Sequence, residues 1–399
     1  MMLNHQACCS SYDSQPHSGH LQPKSTSLHS QSSLSSIPSL TSQHKYPPTS
    51  HQYQCIATLR NHNSYISSLA LAGKFICTGS SDKEIRLWER NALSSEPNQE
   101  NQTDKMVLAG KGAVKSLVVL ADKIFSAHQD QKIRVWKIDD HKYFMRLATL
   151  PTLSDRAHKL LIPNNYVQVR RHKKCTWVHH VDAVSALALS KDESLLYSVS
   201  WDRTLKIWRT TDFKCLESIR NAHDDAINAV ALSSDGDVYT GSADKKIKAW
   251  RKSLGEKKHF LVATLEEHKS GVNALALSAD DSVLYSGACD RSIVVWEKDD
   301  SGNMVVMGAL RGHTKAILCL AVVSNLVCSG SADKTVRIWA GVEKCYSCLA
   351  VLEGHKGPVK CLTAASDRSN PSDTSSSYLI YSSSLDCDLK VWQILVPLL

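Results

Sequence analysis

Long apolar runs are missing from this chain of 399 residues: the longest candidate, residues 113–120, is interrupted by Lys115 and falls far short of the roughly 20 residues that span a bilayer. No membrane span is expected. The N-terminus, Met1-Met2-Leu3-Asn4-His5, lacks a cationic segment followed by an apolar one. That argues against a secretory leader, makes the Asn101-Gln102-Thr103 sequon an idle match, and points to a reducing compartment, cytoplasm or nucleus. The 13 cysteines are odd in number and scattered, and the single Cys-x-x-Cys, Cys345 to Cys348, has no second pair at zinc-site spacing. Free thiols are therefore expected rather than a disulfide framework, with no metal and no cofactor. Neither GxxxxGK[ST] nor GxGxxG occurs, and Gly110-Lys111-Gly112 alone makes no phosphate loop. The net charge of +8 suits acidic partners without pointing to nucleic acid.

With 42% hydrophobic and 22% charged residues, the chain has enough apolar material for a sizeable core. Its first 52 residues are different. They hold 14 Ser, 6 His and 6 Gln, one acidic residue (Asp13) and no Arg, and their apolar residues follow neither period 2 nor period 3.6. A disordered, Ser-rich tail open to phosphorylation is expected over residues 1–52, and its lack of Arg argues against a transit peptide.

From residue 53 the chain repeats itself. An Asp is followed six residues later by a Trp at Asp82/Trp88, Asp130/Trp136, Asp202/Trp208, Asp244/Trp250, Asp290/Trp296, Asp333/Trp339 and Asp386/Trp392. Four residues before each Asp stands a hydroxyl: Thr78, Ser126, Ser198, Thr240, Ser286, Ser329 and Ser382. A His precedes six of them, namely His62, His180, His223, His268, His313 and His355; the second repeat has Gly110 instead. Two short alternating segments separate His from Asp, as in residues 272–277 and 283–286; a third ends on the Trp, and a fourth leads to the next His. Four strands per unit, seven times over, predict an all-β, seven-bladed β-propeller across residues 53–399. The chain stops shortly after Trp392, so residues 53–59 are expected to close the ring as the outer strand of blade 7 and remove its exposed edge.

Gly312-His313, Gly354-His355, Ser329-Gly330-Ser331-Ala332-Asp333 and the seven Trp residues make the chain resemble the WD40-repeat family. It departs from that family where an Asp should follow each Trp: Glu89, Lys137, Arg209, Arg251, Glu297, Ala340 and Gln393 stand there. Residues 147–153, 165–174 and 200–203 are similar to the plant JINGUBANG-like WD40 subfamily. What that resemblance implies is a regulator acting through protein contacts, a restraint on pollen germination or a related developmental signalling role. The alternative, a substrate receptor of a cullin-4 ubiquitin ligase, requires Trp-Asp-x-Arg after a blade strand, which no repeat has.

Ser, His and Asp recurring together invite a hydrolytic reading. However, Trp only donates, a hydroxyl does both, neutral His does one at each nitrogen and Asp accepts, so the four satisfy one another in a line inside each blade. Six copies make this a structural relay, and the chain is read as a non-enzyme. In blade 2 Asp130 lacks its His donor, with His128 as the nearby substitute, so that blade is expected to be the weakest. Cys319 and Cys361 occupy a slot that other repeats fill with Ser68, Ser116, Ala186, Ala229 and Ala274, which suits close packing near the axis.

Family resemblance places three positions per blade on the face carrying the His and Asp loops. The large ones are Tyr65, Lys115, Gln129, Trp201, Leu318, Lys360 and Leu385, with Trp201 as the leading anchor for a protein or peptide bearing apolar and acidic side chains, a transcription regulator among the candidates. An insertion over residues 138–174 is expected to end in a hairpin whose turn, Arg170-Arg171-His172-Lys173-Lys174, suits phosphates, an acidic peptide or an import receptor, with residues 175–178 forming the outer strand of blade 2. No aromatic residues interleave these charges, which disfavours base-specific nucleic-acid reading. A monomer is expected.

Overall fold

The computed structural model describes residues 37–41, 53–90, 105–108, 110–138, 144–160, 166–170, 173–253, 255–256, 258–342, 345–372 and 375–397. Seven four-stranded antiparallel sheets make a seven-bladed β-propeller. From axis to rim, blade 1 comprises Ile66–Ala72, Phe75–Ser80, Glu84–Glu89 and Lys105–Leu108; blade 2 comprises Val114–Leu120, Lys123–His128, Ile133–Ile138 and Phe144–Leu150. Blade 3 comprises Val184–Leu189, Leu195–Ser200, Leu205–Arg209 and Cys215–Ile219; blade 4 comprises Ile227–Leu232, Val238–Ser242, Ile247–Arg251 and Phe260–Leu265. Blade 5 comprises Val272–Leu277, Val283–Ala288, Ile293–Lys298 and Met304–Leu310; blade 6 comprises Ile317–Val323, Leu326–Ser331, Val336–Val342 and Cys345–Leu352. Blade 7 comprises Val359–Ser372, Ser375–Ser384 and Leu389–Pro397, and takes Tyr53–Leu59 as its outer strand. That strand runs antiparallel with Tyr53 opposite Ile394 and Leu59 opposite Leu389, so the first and last of the blade strands share one sheet.

The second and third strands of a blade lie between neighbouring blades and are buried on both faces, which is why they read as Leu-Leu-Tyr-Ser-Val-Ser or Ile-Val-Val-Trp rather than as strict alternation. The turn between them is the same device each time. The residue after the repeat Asp adopts a left-handed conformation in all seven blades: Lys83, Gln131, Arg203, Lys245, Arg291, Lys334 and Cys387, with φ between 67° and 75°. In blade 1 Asp82 Oδ1 accepts the Glu84 N–H at 2.9 Å, and the Ser80 hydroxyl accepts the Asp82 N–H at 3.2 Å; these local bonds offset the cost of a left-handed non-glycine residue.

Adjacent blades are stitched near the axis. Ser67 donates to Val114 O, Ser185 to Ile227 O at 2.5 Å, Asn228 to Val272 O at 2.9 Å and Asn273 to Ile317 O at 2.8 Å. Where that slot holds Leu318 or Lys360, the next residue's thiol takes over: Cys319 Sγ donates to Val359 O and Cys361 Sγ to Ile66 O, both at 3.7 Å. Burial pushes the Cys319 thiol up to about 12 and the Cys361 thiol well above its ordinary value, so both stay protonated and able to donate.

Each repeat Trp donates to the hydroxyl inside its own blade, as the spacing predicts, and each of these rings is in addition core of the blade before it. Trp88, Trp136, Trp208, Trp250, Trp296, Trp339 and Trp392 are all buried. Trp88 packs with Leu59, Tyr381 and Val391 of blade 7, and Trp136 with Cys77, Ile85 and Leu87 of blade 1. Trp208 lies among Phe125, Val135 and Leu150 of blade 2, and Trp250 among Tyr197, Leu205 and Ile207 of blade 3. The series continues with Trp296 on Tyr239 and Ile247 of blade 4, Trp339 on Tyr285, Ile293 and Leu310 of blade 5, and Trp392 on Leu326, Ile338 and Leu352 of blade 6. One polar N–H ties the indole to its own blade while the large apolar ring fills the seam to the neighbour, and this second role depends on blades being side by side, which spacing within one repeat does not convey.

Three expectations are corrected. Blade 2 takes its outer strand from Phe144–Leu150, which pairs with Ile133–Ile138 and ends on the buried Leu150, and not from residues 175–178. The first alternating segment after the third strand fills the edge, so Trp177, three residues before His180, packs beside the cluster of Phe125, Leu150 and Val184, and its carbonyl accepts from Lys206 Nζ at 2.6 Å. The insertion therefore lies after Leu150 rather than over 138–174, and it contains the one helix among the described residues, Leu153–Leu160, which is not long and apolar enough to cross a membrane. Thr152 Oγ1 caps it by accepting the Asp155 N–H at 3.1 Å, and the buried Asp155 carboxylate accepts the Cys215 N–H of blade 3 at 2.8 Å. The last correction concerns residues 1–52: Ile37–Thr41 is held against blades 5 and 6, while the rest of that stretch lies outside the described residues.

Candidate functional site

In all seven blades the Trp indole N–H donates to the repeat hydroxyl at 2.8–2.9 Å: Trp88 to Thr78, Trp136 to Ser126, Trp208 to Ser198, Trp250 to Thr240, Trp296 to Ser286, Trp339 to Ser329 and Trp392 to Ser382. Buried between blades, these rings offer nothing to a partner and belong to the scaffold. In six blades the hydroxyl meets His Nε2 at 2.7–2.9 Å. His Nδ1 in turn meets the Asp carboxylate at 2.7–3.3 Å. Because an ionised carboxylate only accepts, Nδ1 carries the proton and Nε2 accepts from the hydroxyl. The seven hydroxyls are fully buried and occupied on both sides, with a lone pair holding the Trp and the proton facing the His. None is placed to attack a substrate. Burial pushes the Asp244 carboxyl up, but the hydrogen bond from His223 and the N–H groups of Lys246 and Asp224 outweigh it and hold it at about 2. Asp202 and Asp333 are held well below the usual carboxylate range in the same way. Burial lowers His180 and His355 despite their Asp partners.

Blade 2 solves its missing His with two residues. His128 Nε2 meets the Ser126 hydroxyl at 2.8 Å and its Nδ1 donates to Gly112 O at 3.1 Å, so His128 replaces one half of the relay. Arg134 replaces the other, donating to both Asp130 oxygens at 3.0 and 2.5 Å. Gly110 makes room: a Cβ there would lie 2.6 Å from the Arg134 guanidinium carbon, and its φ of +138° also favours glycine. Asp130 is therefore fully partnered, contrary to the sequence expectation. Sequence reasoning misses Arg134 because Arg86 and Arg337 occupy the same strand position in other blades; Gly110 is the one signal.

On the face carrying these loops, Lys115 Nζ lies 5.4 Å from the centroid of the Trp201 ring. Tyr65 belongs to the same group. Burial pushes its hydroxyl up, but a hydrogen bond from Ser81 and the positive charges of Lys115 and Lys360 outweigh that and bring it below its ordinary value. Tyr65, Lys115 and Trp201 are half-buried and Lys360 is exposed, so blades 1, 2, 3 and 7 bring two aromatic rings and two cations together. Lys115 and Lys360 fill the slot that Ser67, Ser185, Asn228 and Asn273 use for stitching blades, so in these two blades the slot supplies a cation instead. Leu318 fills the slot in blade 6 and is half-buried; Gln129 and Leu385 occupy the position before the Asp in blades 2 and 7 and are exposed.

The basic segment forms a hairpin backbone, with Tyr166–Arg170 antiparallel to Lys173–Thr176, Arg170 opposite Lys173 and Gln168 opposite Lys174. Arg171 and His172, between the strands, lie outside the described residues.

The family model described as "WD domain, G-beta repeat" matches residues 53–89, 172–209, 213–251, 260–297, 304–340 and 346–393. These segments carry the six complete relays and leave out blade 2, where Arg134 and His128 stand in. Among curated proteins, the chain is 29% identical over 163 residues to zinc finger CCCH domain-containing protein 62 of Arabidopsis thaliana, covering 40% of this chain and 37% of that one. It is 28% identical over 163 residues to zinc finger CCCH domain-containing protein 59 of the same plant, covering 40% of this chain and 32% of that one. The chain thus spans about a third of the length of these relatives. With its family model matched over more than half its length and seven blades built on one repeating relay, the chain belongs to the WD40-repeat family.

Proposed function

We propose that this protein is a non-enzymatic interaction scaffold that binds a partner protein through the face formed by Tyr65, Lys115, Trp201 and Lys360. The observation carrying this reading is the Lys115 ammonium beside the Trp201 ring, with Tyr65 and Lys360 adjoining. Aromatic rings on a rigid scaffold give a peptide apolar contact at little entropic cost, and the two lysines favour carboxylates beside it. The partner is therefore a segment with apolar and acidic side chains, for which a transcription regulator is a suitable class.

Likeness to the JINGUBANG-like subfamily supports a place among plant regulators, restraining pollen germination or a related developmental signal, in cytoplasm or nucleus. The Arg170–Lys174 hairpin is a second contact, of electrostatic kind, for an acidic partner or an import receptor. The protein acts as a monomer. Selecting binders from a random peptide display library with the full chain tests the reading: enriched sequences should pair an aromatic or aliphatic residue with Asp or Glu, and enrichment of basic or featureless sequences would overturn it.

A further inference from the structure

Ile37–Thr41 crosses from the outer strand of blade 5 to that of blade 6. The Leu40 N–H donates to Ala309 O at 3.0 Å and the Ala309 N–H donates to Pro38 O at 2.9 Å, in parallel strand pairing. One step further, the Tyr346 N–H of blade 6 donates to Leu40 O at 3.1 Å. Arg311 fixes both ends: its guanidinium donates to Ile37 O at 2.9 Å, and its N–H donates to Thr41 Oγ1 at 3.0 Å. Ile37 is buried with Trp296, Met304 and Ala309, and Leu40 packs on Tyr285, Leu310 and Tyr346, which close the seam between the blades.

The outer strand of blade 5 is shaped for this segment. A Cβ on Gly308 would lie 2.6 Å from Leu40 Cγ and 2.8 Å from Pro38 O. Opposite the same point of the third strand, the other blades carry Lys105, Ala148, Glu217, Ala263, Ala350 and Ala57. Among the seven outer strands, glycine occurs at this point only where the segment crosses. Outer strands otherwise leave a row of unpaired backbone groups, and addition of an extended strand with side-chain pockets at alternate positions is an established way of reading a peptide.

We propose that the seam between blades 5 and 6 is a peptide-binding site, separate from the Trp201 face, that recognises an extended segment of the pattern aliphatic-Pro-small-Leu-Thr and is filled in cis by Ile37–Thr41. Only 11 residues, 42–52, separate Thr41 from the closing strand at Tyr53, so the tethered segment acts at a high effective concentration and shuts out competitors. A partner segment of the same pattern enters once the cis segment is displaced.

The test uses the full chain and a labelled peptide of residues 35–43. Ile37→Asp with Leu40→Asp is expected to lower hydrogen-exchange protection of the Ala309 and Tyr346 amides at least tenfold while a single cooperative melting transition, shifted to lower temperature by loss of the cis segment, is retained. It is also expected to let the peptide bind at least tenfold more tightly than to the wild type. Adding Gly308→Val should abolish that gain. Unchanged amide protection in the double variant overturns the cis contact. Lost protection without peptide binding overturns the site and leaves only a staple. Equal peptide binding to wild type and double variant overturns the gating.

Discussion

The Arg134 guanidinium grips both oxygens of Asp130, in the one blade whose His has become Gly110. An Arg–Asp ion pair has thus replaced the neutral His that donates to the Asp carboxylate in the other six blades. Arg134 is buried, so removing its partner strands a cation. Asp130→Ala should cost about 3 kcal/mol or more, read from the urea midpoint, whereas Asp244→Ala, which unpairs a neutral His, should cost about 1 to 3 kcal/mol. Asp130→Ala with Arg134→Met should recover much of the loss. If Asp130→Ala is the milder of the two single variants, the account of blade 2 is wrong.

Acid should loosen the ring by a definite route. Burial, with the Arg134 charge beside it, holds His128 down at about 4, and burial also lowers His180 and His355. An unfolded His takes up its proton near about 6.5, so between that value and the folded one the unfolded chain binds more protons and stability falls as pH falls. The Asp244 carboxyl, at about 2, adds a loss in the same direction below about 4. Urea midpoints should be flat above about pH 7 and decline from about pH 6.5 toward about 4, with a shallower decline in His128→Gln. A midpoint that rises on acidification contradicts these assignments.

The seventh blade joins strands distant in the chain, with Leu59 opposite Leu389 and packed with Ile66, Trp88, Tyr381 and Val391. Leu59→Ala should cost about 2 to 5 kcal/mol, as for other large-to-small core changes, and removal of residues 1–60 should expose the edge of Leu389–Pro397 and cause aggregation. A shortened chain with an unaltered cooperative melt would show that the ring does not depend on this strand.

Much of this molecule is legible in its sequence because one device recurs. Asp, hydroxyl and Trp keep fixed spacings in every repeat, and those spacings are the geometry of the turn and the relay. What repetition does not cover is harder to read. The polar end of each Trp can be assigned within one repeat, whereas the seam its ring fills, as Trp208 does against Phe125 and Leu150, exists only between two repeats. Phe144–Leu150 and the stretch around Trp177 both look like an outer strand, and only competition for one sheet edge decides between them. Ile37 and Leu40 are two apolar residues in a polar tail; the groove that holds them is written about 270 residues later, in Gly308 and Arg311. Arg134 resembles the cations at its position in other blades until Gly110 is placed beside it. The convergence of Tyr65, Lys115 and Lys360 likewise depends on closing the ring, which brings blade 7 next to blade 1.

The central claim is that recognition runs through the Trp201 face, and the affinity of one display-selected acidic peptide for wild type, Trp201→Ala and Lys115→Ser/Lys360→Ser proteins tests it most directly. Truncating a buried interface aromatic removes at least about 2 kcal/mol, roughly thirtyfold in affinity, and this apolar contribution is not screened by salt. Loss of the two lysines should instead act mainly at low salt, through encounter rate. Trp201→Ala is predicted to bind at least about thirtyfold more weakly at low and at high salt alike, with an unchanged melting transition. Wild-type affinity in the Trp201→Ala protein would contradict the account and move recognition elsewhere on the ring.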